Sequence, residues 1–360
     1  MIRLKIDNKE IIADERMTIL EASRREGISI PTLCHSDALE HYTSCMVCLV
    51  KDIRSGKYIP SCSARVQEGM DIDTGSIDVK NLRRRSVELL LSEHRADCEA
   101  PCRNVCPAGY NIPLLNRLLS EGKIEKAEAV SAGQKGPEGL WCFNCPGYCE
   151  NACKRKKIDL PVSIKNLQIF VHTRNNPLTE ESQTTALKPE KRKRRFTSIT
   201  GKTTDNELKE WLKESADNSH RYSTITNQEY AVEEASSCMH CDCRAASDCR
   251  LRDLGDEFVL KNPSGKLVNG EAVKKINRKT NLIFENAKCI KCGLCIRVCE
   301  DSTEEPALCF LNRGFVTILS EPLTNGFEDV LKNKTKECIE ICPTGALAWF
   351  KTDPADEVYS

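Results

Sequence analysis

Cys98, Cys102 and Cys106 recur at intervals of four residues, and Pro107 closes the run. Thiols on so tight a pitch serve disulfides, zinc, nucleophilic catalysis or iron–sulfur ligation. The rest of the chain narrows the choice. It carries 22 cysteines in 360 residues but only six histidines. Metal chemistry here is therefore mostly thiolate, which points to iron–sulfur clusters or all-cysteine zinc. The opening MIRLKIDNKEII alternates charged and apolar residues and has no apolar stretch of the signal-peptide kind. No run of about 18 apolar residues occurs, so no membrane-spanning helix is expected. The expected compartment is the cytoplasm, where thiols stay reduced and dense cysteines bind metal.

The net charge is zero, which gives no reason to expect a nucleic-acid or membrane-surface partner. Hydrophobic residues make up 40% and aromatics only 5%, which suits several small modules better than one large core. The fold class expected is α+β and multidomain. Its segments are 1–78, 79–175, a basic linker or arm at 176–237, a four-cysteine segment at 238–260, and 261–360. The Lys191–Arg195 run reads as part of a solvated connector. Gly201-Lys202-Thr203 lacks the glycine five residues earlier that a phosphate loop needs, because Phe196 stands there. No G-x-G-x-x-G occurs, so no nucleotide-binding fold is expected.

The first cysteine group is Cys34, Cys45, Cys48 and Cys62. Ile2, Leu4 and Ile6 alternate, Asp7-Asn8 turn, and Ile11-Ile12 return, which predicts a hairpin. A helix from Thr18 to Gly27 follows. Cys45 and Cys48 are spaced to grip one iron from a tight loop, while Cys34 and Cys62 reach a second. The alternative for these four is a zinc site. The hairpin, helix and cysteine loop, in this order, resemble the plant-type β-grasp [2Fe–2S] ferredoxin domain. The longer first loop is similar to the variant in the large iron–sulfur subunit of bacterial complex I and in iron-only hydrogenases. The resemblance implies a [2Fe–2S] cluster on Cys34, Cys45, Cys48 and Cys62.

A helix predicted over Val79–Leu91 leads to His94. CEAPCRNVCPAGYNIP, GKIEKAEA, CPGYCENACKRK and VSIKNLQIF then resemble the helical dicluster domain of the glutamate synthase small subunit and dihydropyrimidine dehydrogenase. That resemblance implies two [4Fe–4S] clusters with crossed ligands. Cys98, Cys102 and Cys153 share one, with His94 in the place of a missing leading cysteine and Cys142 as its rival. Cys106, Cys145, Cys149 and Gln168 share the other.

A short helix over Glu229–Ala235 is predicted to run into Cys238, Cys241, Cys243 and Cys249. Four thiols so close suit one [4Fe–4S] cluster or one zinc ion, and the spacing leaves both open. Next, Cys289-x2-Cys292-x2-Cys295-x3-Cys299 has the bacterial ferredoxin spacing. With NRG at 312–314 and ICPTGAL at 341–347, the segment resembles the single-cluster ferredoxin-like domain of the complex I large subunit and related formate dehydrogenases. That resemblance puts Cys289, Cys292, Cys295 and Cys342 around one [4Fe–4S] cluster. Cys299, Cys309 and Cys338 are left over, either as ligands of a second cluster completed by a non-cysteine group or as buried thiols, the reading favoured.

Three functions compete: an electron relay, a self-contained oxidoreductase, and a zinc-rich structural protein. No flavin or nicotinamide fingerprint and no catalytic triad is found. The cofactors expected are one [2Fe–2S] and three or four [4Fe–4S] clusters, with zinc open at the 238–249 quartet. The relay reading is the expectation: an iron–sulfur subunit without a catalytic residue of its own. The resemblances imply a flavin- and NAD(P)H-binding partner subunit, with a formate dehydrogenase or hydrogenase subunit as the other terminal.

Overall fold

The computed structural model describes residues 1–39, 42–94, 98–133, 142–174, 224–245, 248–258, 260, 274–300, 308–322 and 326–351. The chain divides into two compact units. One comprises Met1–Arg95, Asp248–Gly270 and Lys275–Ala348, and the other Ala96–Ser247, Glu271–Lys274 and Trp349–Ser360. This division joins the N-terminal and C-terminal cysteine groups in one unit, across the expected boundaries. Most of the expected linker, 176–223, including Lys191–Arg195 and Gly201–Thr203, lies outside the described residues.

In the first unit, β1 (Ile2–Ile6) and β2 (Lys9–Ala13) form the hairpin. Asp7 and Asn8 turn it with φ of 48° and 67°, the left-handed values a two-residue hairpin turn needs. Period-two alternation buries Leu4, Ile6, Ile11 and Ala13 and leaves Ile12 exposed. β3 (Leu49–Asp52), β4 (Tyr58–Pro60) and β5 (Asp71–Asp73) complete a mixed sheet ordered β2-β1-β5-β3-β4. β5 runs parallel to β1 and antiparallel to β3. The helix Ile19–Arg25 supplies Ile19, Leu20 and Ala22 to the core with those strand residues.

That helix begins at a capping box. Thr18 Oγ1 accepts from the Glu21 amide at 3.2 Å, and Glu21 accepts from the Thr18 amide at 2.7 Å. A longer helix, Ile77–Glu93, buries Val79, Arg83, Val87 and Leu91, one residue per turn. Buried Arg83 donates to the Leu49 carbonyl at 2.8 Å and so ties this helix to β3.

The C-terminal part of this unit has its own core of Leu282, Phe284, Leu308, Leu319, Val330 and Leu347. The helices Leu294–Glu300 and Thr335–Ile341 pack together beside it. The second unit is helical. Leu115, Leu118 and Leu119 of helix Ile112–Ser120 join Ile124, Leu167 and Ala231 in its core. Helix Ile112–Ser120 packs on helix Gln228–Ser236, and Ile164–Thr173 packs on both.

The capping box sets a test of local stability. Thr18→Ala removes one cap bond and is expected to cost about 1 kcal/mol. Denaturant unfolding followed through the first sheet should shift its midpoint accordingly. An unchanged midpoint would show that the helix start is held by packing alone.

Candidate metal centres

In the first unit, Cys34, Cys45, Cys48 and Cys62 are all buried, each at most 5% exposed. Cys48 and Cys62 bring their sulfurs to 3.0 Å. The Cys45 amide donates to the Cys34 sulfur at 3.5 Å and the Val47 amide to the Cys45 sulfur at 3.5 Å. Met46 takes a left-handed φ of 56°, which bends the Cys45–Cys48 loop into a knuckle. Two thiols this close share a proton: Cys62 lowers Cys48 to about 7, and Cys48 in turn raises Cys62.

The same unit holds a pocket lined by Cys289, Cys292, Cys295 and Cys342 with Leu294, Leu319 and Leu347. Lys291 repeats the knuckle with φ of 56°, and its amide donates to the Cys289 sulfur at 3.4 Å. Thr344, two residues after Cys342, donates its hydroxyl to the Lys288 carbonyl at 2.7 Å and joins the two halves of the ligand set. Cys299 and Cys338 lie in the core behind it with sulfurs 3.8 Å apart. Cys309 is half-buried on a strand end.

Arg297 ties the two thiol groups of this unit together. It is 5% exposed and donates to the Cys34 carbonyl at 3.1 Å and to the Cys292 carbonyl at 3.3 Å. Its guanidinium also stacks 5.5 Å from the Tyr42 ring centre. The negative charge of Cys34 reaches Cys292.

The helical unit has two further pockets. Cys106, Cys142, Cys145 and Cys149 line the first, with Tyr110, Lys165 and Gln168. Lys165 fixes the knuckle: its amine donates to the Cys145 carbonyl at 2.8 Å and its amide to Glu150 at 2.9 Å. Gln168 is 2% exposed, and its Nε2 makes no hydrogen bond among the described residues. Cys142 is the thiol that sequence reasoning left as a rival elsewhere. Its spacing, Cys142-x2-Cys145, repeats that of Cys45–Cys48 and Cys289–Cys292, and was the signal available.

The second helical pocket is lined by Cys102, Cys153, Cys238 and Cys241, with Asn116, Arg155 and Met239. Here the geometry groups residues differently from the sequence. Cys102 and Cys153 meet two members of the 238–249 quartet, and Cys98 is not among the lining residues. The quartet itself is divided. The Cys243 amide donates to the Cys98 carbonyl at 3.0 Å, and Cys249 belongs to the first unit, its sulfur 4.0 Å from the Pro343 carbonyl.

The physical reason is local. His240 is left-handed at φ 46°, so Cys238 and Cys241 form a knuckle of their own. Asp242 then pairs with Arg117 at 2.8 Å and anchors the loop to helix Ile112–Ser120. Arg155, 1% exposed, donates to the Ser237 carbonyl and to Asp159, which holds the chain just before Cys238. His94 also belongs to the first unit, buried, with Lys288 and Glu285 as its charged neighbours. Burial holds its imidazole down at about 4, so the ring is neutral at physiological pH.

Electrostatics reproduce the same groups. Burial raises Cys102 first, then the charges of Cys238, Cys241 and Cys153. Burial also raises Cys142, followed by Cys149, Cys106 and Cys145, and Cys295, followed by Cys289, Cys342 and Cys292. Cys289 and Cys149 are pushed up to about 12. Such thiols cannot ionise together without a cation between them. Among the described residues, no group of three His, Cys, Asp or Glu side chains is arranged to hold one metal ion. Three of the sets of sulfurs line a space, as the ligands of a multi-iron cluster must.

Comparison with known proteins agrees with this chemistry. Residues 1–76 match the 2Fe–2S iron–sulfur cluster binding domain family, and residues 89–179 match the dihydropyrimidine dehydrogenase domain II, 4Fe–4S cluster family. An NADH-quinone oxidoreductase subunit of Rickettsia felis is 35% identical over 123 residues, which is 34% of this chain and 18% of that protein. The alpha subunit of NADPH-Fe(3+) oxidoreductase from Geobacter sulfurreducens is 34% identical over 126 residues, 35% of this chain and 14% of that protein. The HndD subunit of the NADP-reducing hydrogenase of Solidesulfovibrio fructosivorans is 40% identical over 103 residues, 27% of this chain and 18% of that protein. The matched region thus spans under a fifth of each of these curated relatives. An NAD+-reducing [NiFe]-hydrogenase in the H2-reduced state shares the fold, with a TM-score of 0.52 at 16% identity over 98% of this chain and 90% of that one.

The regrouping is testable by EPR of the anaerobically purified, dithionite-reduced chain. Cys102→Ser and Cys238→Ser are expected to remove the same [4Fe–4S] signal, and Cys106→Ser and Cys142→Ser another. Loss of different signals on substituting Cys102 and Cys238 would overturn the grouping.

Proposed function

We propose that this chain is an iron–sulfur electron relay within a larger oxidoreductase assembly. The observation that carries the reading is the repetition of one arrangement: four cysteines gathered in a buried setting, four times over. A [2Fe–2S] cluster belongs with Cys34, Cys45, Cys48 and Cys62, in a β-grasp ferredoxin domain. Three [4Fe–4S] clusters belong with Cys106, Cys142, Cys145 and Cys149; with Cys102, Cys153, Cys238 and Cys241; and with Cys289, Cys292, Cys295 and Cys342 in a ferredoxin-like domain. Four thiols already complete the Cys106 set, so Gln168 stands beside it as a fifth polar group.

Bound clusters supply single-electron transfer. The chain's own residues supply the conditions for it. Apolar side chains keep water from the sulfurs, knuckle amides donate to them, and Arg297 fixes two sites of the first unit against each other. Burial and hydrogen bonding of this kind set a cluster's potential.

Among the described residues that line the three pockets, no nucleophile has an adjacent base and no carboxylates pair as acid and base. The substrate chemistry is therefore placed on a partner. A nicotinamide exchanges two electrons and a cluster one, so the partner proposed is a flavin- and NAD(P)H-binding subunit. The three curated relatives are subunits of NADH-, NADPH- or NADP-linked oxidoreductases, which supports that choice. A hydrogenase or formate dehydrogenase subunit is proposed as the other terminal. Among the described residues, no helix is long and apolar enough to cross a membrane. The cytoplasm is proposed from the number of free thiols, which a reducing compartment preserves.

Metal analysis tests the reading. The anaerobically purified chain is expected to hold about 14 irons and no zinc. About 18 irons would add one [4Fe–4S] cluster on ligands outside the four sites. Several zincs and little iron would overturn the relay. NADH alone is expected to leave the clusters oxidised, and NADH with a flavin-bearing dehydrogenase subunit to reduce them. Direct reduction by NADH would move the catalytic centre onto this chain.

A further inference from the structure

Asn116 sits in the middle of helix Ile112–Ser120, on the face that carries buried Ile112 and Leu119. It is 1% exposed and lines the pocket of Cys102, Cys153, Cys238 and Cys241. Neither its Nδ2 nor its Oδ1 makes a hydrogen bond among the described residues. A buried carboxamide in that condition is costly, because folding strips its water and returns nothing. Packing does not ask for it, since leucine fills the neighbouring positions 114, 115, 118 and 119. Nor is it needed to hold the loop, a task that Arg117 and Asp242 already perform.

Its neighbour is a ligand sulfur. Helix Gln228–Ser236 packs on Asn116's helix, and Cys238 leaves its last turn with its backbone N–H donating to the Ala235 carbonyl at 3.0 Å. Asn116 and Cys238 line the same pocket, so the buried amide faces the space that the four sulfurs surround. At two other sites the backbone supplies N–H groups to sulfur, from Val47 and Lys291.

We propose that Asn116 is a positioning residue for electron transfer, whose buried, unpartnered amide donates an N–H to a sulfur of the [4Fe–4S] cluster, once bound, at Cys102, Cys153, Cys238 and Cys241 and raises that cluster's reduction potential. This rests on the ligand set proposed for that pocket. The reduced cluster carries one more negative charge than the oxidised one, spread partly over its sulfurs. A fixed donor therefore stabilises the reduced state more, and in a low-dielectric site the difference is large. The residue sets how readily that site accepts an electron and leaves the other three sites unmoved.

The test is a redox titration of the full chain, purified anaerobically and followed by EPR, against Asn116→Leu. The variant is expected to keep its iron. One [4Fe–4S] signal, the one removed by Cys238→Ser, should move to lower potential. At the potential where the parent site is half reduced, its reduced-to-oxidised ratio should fall about tenfold, equivalent to 59 mV for a one-electron couple. Full iron with unmoved potentials would overturn the proposal. A second measurement needs no variant. With the asparagine side-chain amides labelled with 15N, pulsed EPR of the parent should show a 15N coupling on that same signal, and its absence would overturn the proposal. If Cys102→Ser and Cys238→Ser remove no iron from the parent, the ligand set itself fails, which is a different result from unmoved potentials.

Discussion

A buried thiolate is a charge that the protein interior cannot hold by itself. Burial raises the thiols of Cys102, Cys142 and Cys295, and neighbouring cysteines of each pocket raise them further. Four such groups side by side form a stable arrangement only with cationic metal among them, where the coordinating thiol is deprotonated outright. The architecture follows from that requirement. Each pocket needs sulfurs from segments far apart in sequence, so ligation and folding are one event. This is also how a chain with few aromatic residues keeps its small modules together.

The recurring device is the two-residue knuckle. In three of the four sites a non-glycine residue inside it adopts a left-handed backbone: Met46, His240 and Lys291. Such residues cost energy that a loop with no task would shed. Here the bend brings two sulfurs to one face and turns amides toward them, as at Val47 and Lys291. The fourth knuckle, Cys142–Cys145, leads into Pro146 and left-handed Gly147, and its bend is fixed from outside by Lys165.

The local part of this was legible in the sequence. Alternation at Ile2, Leu4 and Ile6 with a turn at Asp7-Asn8 marked the hairpin, since a strand's period is visible in five residues. The close spacing of Cys289, Cys292 and Cys295 likewise marked a local set, which one pocket gathers with Cys342. What could not be read was which half-sets meet. Cys238 and Cys241 look complete with Cys243 and Cys249 nearby, and only the fold reveals that Asp242 pairs with Arg117 and turns the chain away. The partners of Cys238 and Cys241 are Cys102 and Cys153, more than eighty residues earlier in the chain. Asn116 gave no signal at all. An asparagine in a leucine-rich helix has no spacing to betray it, and its meaning comes from the sulfur that the neighbouring helix delivers.

Rigidity is the property that links these features to electron transfer. A site that relays single electrons must change charge without rearranging, because each movement of a ligand or a water adds to the barrier. Arg297 shows how the first unit meets this need. It is a buried cation whose donors reach the backbone carbonyls of Cys34 and Cys292. The guanidinium stands between two loops, each carrying a cysteine of a different thiol group. The same side chain thus locks two cysteine loops against each other, so that neither shifts without the other.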